Sequence, residues 1–86
     1  MQPRFTRLAK GESDAALIVS LAYENGAQVA KVTRFGDLPD HAATRPSTSE
    51  PRVVLAWAAQ YERQFAVPVR IRLQGVAWNP IWGILD

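Results

Sequence analysis

The only histidine, His41, lies in a stretch that also holds Asp37, Asp40, Ser47 and Ser49. These residue types are the ingredients of a nucleophile, a general base and an orienting acid. Spacing does not support a hydrolase centred on His41. There is no nucleophile elbow and no Gly-rich loop to supply an oxyanion hole, and a lone histidine in a polar loop is ordinarily a solvated side chain. Metal chemistry is no better served, because one His and no Cys leave only scattered carboxylates. Glycines at 11, 26, 36, 75 and 83 form no phosphate-cradling pattern, so no cofactor is expected. The chain therefore reads as a non-enzymatic protein.

Two groups of residues remain that could bind. The first is Trp78-Asn79-Pro80-Ile81-Trp82, in which two indoles flank a turn. Tryptophan buries a large rigid surface at low entropic cost and is enriched where proteins meet. The competing role is structural, since a small domain needs every large apolar side chain for its own core. The second group is cationic. Arg70 and Arg72 alternate along one apolar-cationic run, and Lys31 and Phe35 share their face if all the strands lie in one sheet. Cations beside an aromatic ring suit single-stranded nucleic acid, whose phosphates pair and whose bases stack. Arg4 and Arg7 extend this basic set, although all eight arginines are scattered rather than clustered.

These side chains must be positioned by local elements. Asn25-Gly26 is the strongest turn signal, because a type I′ hairpin requires positive φ at both central residues. It joins strands over 15–24 and 27–35. A two-residue loop then sets Glu24 opposite Ala27, Tyr23 opposite Gln28, Leu21 opposite Ala30, Val19 opposite Val32 and Leu17 opposite Arg34. One face carries Leu17, Val19, Leu21, Ala30 and Val32. The other carries Ile18, Ser20, Ala22, Val29, Lys31, Thr33 and Phe35. A rival reading caps a helix with Ser13 and ends it at Gly26.

Residues 36–49 read as a polar surface loop with Pro39 and Pro46. Ser49-Glu50-Pro51 opens a helix over 50–66, with Ser49 as its cap. Val54, Trp57, Ala58, Tyr61 and Phe65 fall on one stripe, with Val53 beside it. Val67-Pro68 ends the helix. A strand over 67–73 follows, and 3–9 is a candidate first strand.

The expected architecture is α+β, a small antiparallel sheet packed on one helix. Its core is Leu17, Val19, Leu21, Val32, Val54, Trp57, Tyr61, Phe65, Val69, Ile71 and Leu73. With 86 residues and 48% hydrophobic content the chain is one small domain, 1–86, and too apolar to be disordered. The net charge of +2 is a difference between ten cations and eight anions, too small by itself to name a polyanionic partner. No apolar run approaches the roughly 20 residues that span a bilayer. Glu12 and Asp14 interrupt any leader-like pattern, so the cytoplasm is the expected compartment, and Ala/Arg-heavy usage hints at a bacterium.

The leading functional expectation is an interaction module that binds a protein partner or forms a homodimer. It would act through Trp78, Asn79, Pro80, Ile81 and Trp82, and through Ile18, Val29 and Phe35 on the half-apolar sheet face. The alternative is a nucleic-acid binder using Arg4, Arg7, Lys31, Arg70 and Arg72.

Overall fold

A computed structural model describes residues 2–11, 15–36 and 46–86, except for the side chain of Phe35. Its elements are β1 (Arg4–Arg7), β2 (Ala16–Glu24), β3 (Ala27–Phe35), α1 (Pro51–Phe65), β4 (Val69–Leu73), a 3₁₀ turn (Pro80–Trp82) and β5 (Ile84–Leu85). The five strands form one sheet in the order β3-β2-β4-β1-β5. The fold is α+β, with a single helix on a small sheet.

Asn25 and Gly26 have φ of 54° and 81°, as the type I′ turn demands. The hairpin register puts Glu24 opposite Ala27 and runs unbroken to Ala16 opposite Phe35. Ala16–Glu24 is thus a strand and not a helix.

The sheet is mixed rather than antiparallel. Only β3 runs antiparallel to its neighbour, while β2, β4, β1 and β5 run parallel. The reason lies in the connections. A 15-residue helix spans about 22 Å, enough to return the chain to the end of the sheet where β2 began. β4 therefore enters alongside β2 in the same direction, as crossover geometry requires.

Helix α1 opens at Pro51, whose missing N–H costs nothing in the first turn. Its cap differs from expectation. Glu50 occupies the capping position, and no side chain bonds the exposed N–H groups. Ser49 instead accepts the Ala30 N–H through its backbone carbonyl at 2.8 Å. That contact blunts the free edge of β3, the longest edge of the sheet. The helix ends at Ala66, which adopts the left-handed conformation with φ 54°. Just beyond, the Glu62 carboxylate accepts the Val69 N–H at 3.0 Å and ties helix to strand.

The core lies between α1 and one sheet face. Leu17, Val19, Leu21, Ala30, Val69 and Ile71 meet Val54, Leu55, Ala58 and Tyr61. Leu55 is fully buried, whereas Val53 is 41% exposed, so the helix presents a stripe rotated from the expected one. Trp57, Phe65, Val32 and Leu73 pack on the margin of this core. Phe5, Val67, Val76 and Trp82 complete it at the β1–β5 end.

Candidate functional site

The strand registers build the face opposite α1. One row across the sheet reads Thr33, Ile18, Arg70, Thr6, and the next reads Lys31, Ser20, Arg72. Lys31, Arg70 and Arg72 thus share one face, as strand alternation predicts. Arg70 and Arg72 are two residues apart on β4, about 7 Å along the strand. Arg72 is fixed in place, because its Nε donates to the buried Ser20 hydroxyl at 3.0 Å. That bond uses one of the five N–H donors of the guanidinium. Arg70 donates to the carbonyl of Val69 at 3.2 Å.

The cations at the two margins of this face have carboxylate partners. Lys31 lies 2.8 Å from Glu24, and Arg4 lies 3.3 Å from Asp86. Both pairs are well exposed, so each contributes no more than about 1 kcal/mol and is open to exchange for another anion.

Arg7 stands apart from that face. It is paired in register with Ile71 on the helix side of the sheet, where β1 ends. The Leu8 N–H continues the ladder to the Ile71 carbonyl at 2.8 Å, and the chain then turns at Lys10. This brings Arg7 and Lys10 to the ends of β1 and β4, with Arg7 on the helix side of the sheet and Arg72 on the opposite face. The three line an open cavity of about 330 Å³ walled by Leu8, Ile71 and Leu73. Arg7 and Lys10 are close in the chain, and only the pairing of β1 with β4 brings them near the end of β4.

The tryptophan turn is placed differently from the expected contact surface. Trp82 is 7% exposed and belongs to the core. Trp78 is half-buried, edge-on to both Phe5 and Trp82, and its Nε1 donates to the Gly83 carbonyl at 3.1 Å. Asn79 caps the 3₁₀ turn by accepting the Ile81 N–H, and Pro80 sits in its first turn. Both indoles therefore close the β1–β5 end of the core, the role that a small domain demands of them. Only Pro80 and Ile81 project, Ile81 at 64% exposure. Ile18 is buried and Val29 half-buried, which removes much of the apolar surplus expected on the outer face.

Comparison with protein-family models, curated proteins and solved structures finds no match. The reading of this surface therefore rests on its own geometry. His41, Asp37 and Asp40 lie outside the described residues, so the imagined hydrolytic set has no geometry. Among the described residues, no group of three or more His, Asp or Glu is arranged to hold a metal ion. No helix is long and apolar enough to cross a membrane.

A second concavity flanks the helix. An open groove of about 850 Å³ runs between α1 and the β1–β5 edge, with Ala56, Ala59 and Arg63 on one side and Pro3 and Ile84 on the other. Sequence reasoning missed it, because Ile84 belongs to a two-residue strand that no periodicity reveals.

Proposed function

We propose that the protein is a non-enzymatic binder of single-stranded nucleic acid that works through the sheet face opposite α1. The observation behind this reading is the pair of adjacent rows that sets Arg70, Arg72 and Lys31 together, with Arg72 locked by Ser20. A single strand suits a slightly twisted sheet, along which its phosphates follow a line of cations and its bases spread over the strands. Burial of Trp82 and Ile18, with Trp78 half-buried, lowers the case for the protein-contact reading and leaves charge as the main property of the exposed face. The cytoplasm is the compartment that this reading assigns.

The test is binding of a short labelled oligonucleotide over a range of salt concentrations. If Arg70, Arg72, Lys31 and Arg4 each meet one phosphate, the logarithm of affinity falls with the logarithm of salt with a slope of about −3. Arg72→Ala reduces that slope by about 0.7. Absence of binding at low salt, or a slope near zero, refutes the reading.

The groove beside α1 favours a second reading, an interaction module with a protein partner or a second copy of the chain. Its apolar contribution is Ile84, 38% exposed, with the two helix alanines. Light scattering after size exclusion tests self-association. If a dimer is found, Ile84→Glu dissolves it, and a concentration-independent monomer removes the homodimer.

A further inference from the structure

We propose that Ser20 is the positioning residue of the outer face: its hydroxyl holds Arg72 ready for one phosphodiester of the bound strand, so that Arg72 acts as a fixed donor while Lys31 and Arg4 act as exchangeable charges. The inference rests on the single-strand reading above and adds to it a division of labour among the cations.

Three observations support this proposal. First, Ser20 is a hydroxyl where an apolar side chain would serve the fold. All of Ala16–Leu21 is buried, and Ser20, at 6% exposure, is the one buried polar or charged residue among those described, tyrosine and tryptophan counted with the apolar core. A buried hydroxyl is unfavourable unless it is hydrogen-bonded, a demand that alanine or valine would not make. Second, the bond that meets this demand comes from Arg72, whose Nε donates to the Ser20 Oγ at 3.0 Å. The two residues are register partners on β2 and β4, both interior strands, so the sheet itself sets their separation. Third, the partner is neutral. A hydroxyl oxygen accepts an N–H without cancelling the guanidinium charge, whereas the carboxylates of Glu24 and Asp86 balance Lys31 and Arg4.

The consequence for binding is entropic. An arginine that moves freely in solvent gives up much of its rotamer freedom when it meets a phosphate. Arg72 is exposed but tied at Nε, so part of that ordering is complete before the ligand arrives. Its remaining N–H donors are left for phosphate oxygens, to which arginine makes charge-assisted bonds. Removing the Ser20 hydroxyl keeps the charge and frees the side chain. Affinity then falls while the number of counterions released stays the same, since that number follows the phosphates neutralised.

The experiment measures binding of a short labelled oligothymidine by fluorescence anisotropy across a salt series. Ser20→Ala is expected to bind about fivefold more weakly at every salt concentration, the cost of immobilising one rotamer-rich side chain, with the salt slope unchanged. Lys31→Ala differs in kind, because it makes the slope shallower by about 0.7. Adding Ser20→Ala to Arg72→Ala is expected to cause no further loss, because the hydroxyl acts through Arg72 alone. Arg72 is exposed and water replaces its lost acceptor, so Ser20→Ala is expected to keep its urea midpoint, which is measured alongside. Wild-type affinity in Ser20→Ala overturns the positioning role while leaving the single-strand reading intact. A fivefold loss that persists in the Arg72→Ala background shows that Ser20 acts through the sheet and not through Arg72, and also overturns it. No binding by the unaltered protein overturns both readings.

Discussion

Gly83 is the position at which the smallest change should do the most damage. Its φ of 130° and ψ of −160° lie in a region that only glycine occupies comfortably. A methyl group there would stand 2.5 Å from the Pro3 carbonyl oxygen and 3.3 Å from the Phe5 ring. That carbonyl is also the acceptor for Ile84 N–H at 2.8 Å, the first bond joining β5 to β1. Gly83→Ala therefore meets two costs, backbone strain of about 1–3 kcal/mol and the weakening of one or two backbone hydrogen bonds at about 1 kcal/mol each. The expected loss is about 3 kcal/mol, against a total stability of roughly 4–13 kcal/mol for a chain of this length. Urea unfolding followed by tryptophan fluorescence is the assay, because Trp78 donates to the Gly83 carbonyl. With a slope of about 1 kcal/mol per molar, the midpoint should fall by about 3 M. Gly75→Ala is the internal control. Gly75 also has positive φ, 75°, but nothing lies within 4 Å of the added carbon, so it reports strain alone, about 1 kcal/mol. Equal losses for the two variants would refute the contact between Gly83 and Pro3 and the placement of β5.

Two further predictions concern the helix. Leu55→Ala, at a fully buried side chain, costs about 3 kcal/mol by chemical denaturation, whereas Val53→Ala stays within about 0.5 kcal/mol. Glu62→Leu strands the Val69 N–H and costs about 1–3 kcal/mol in the same assay, and Glu62→Gln, which keeps an acceptor, recovers most of that loss.

The elements legible in the sequence are those whose information is local. Asn25-Gly26 fixed both the turn and, through the period of two, the pairing from Glu24–Ala27 to Leu17–Arg34. The same period placed Lys31, Arg70 and Arg72 on one face. What was not legible depends on distant partners. The direction of β4 follows from where a 15-residue helix releases the chain, and no residue in β4 encodes it. The exact centre of the helix stripe is not legible, because alanines at 56, 58 and 59 blur the boundary of the apolar side and hide Leu55 within it. The tryptophans drew attention as a contact surface because unusual composition looks the same whether it faces a partner or a core. Their burial follows from β5 pairing with β1, a two-residue ladder invisible in any window.

The cationic cavity shows why site prediction from sequence stops where it does. Arg7 and Lys10 are neighbours in the chain, but Arg72 is more than sixty residues away, and β1–β4 pairing alone unites them. Had β1 run antiparallel to β4, its end would have met the Val69 end of that strand, and Arg7 would not be in register with Ile71. Among the described residues, the outer cations Arg4 and Lys31 are balanced by Asp86 and Glu24. A net charge of +2 spread evenly would hold no ligand. Pairing the marginal cations with carboxylates leaves the centre of the outer face to Arg70 and Arg72, which β4 alone supplies.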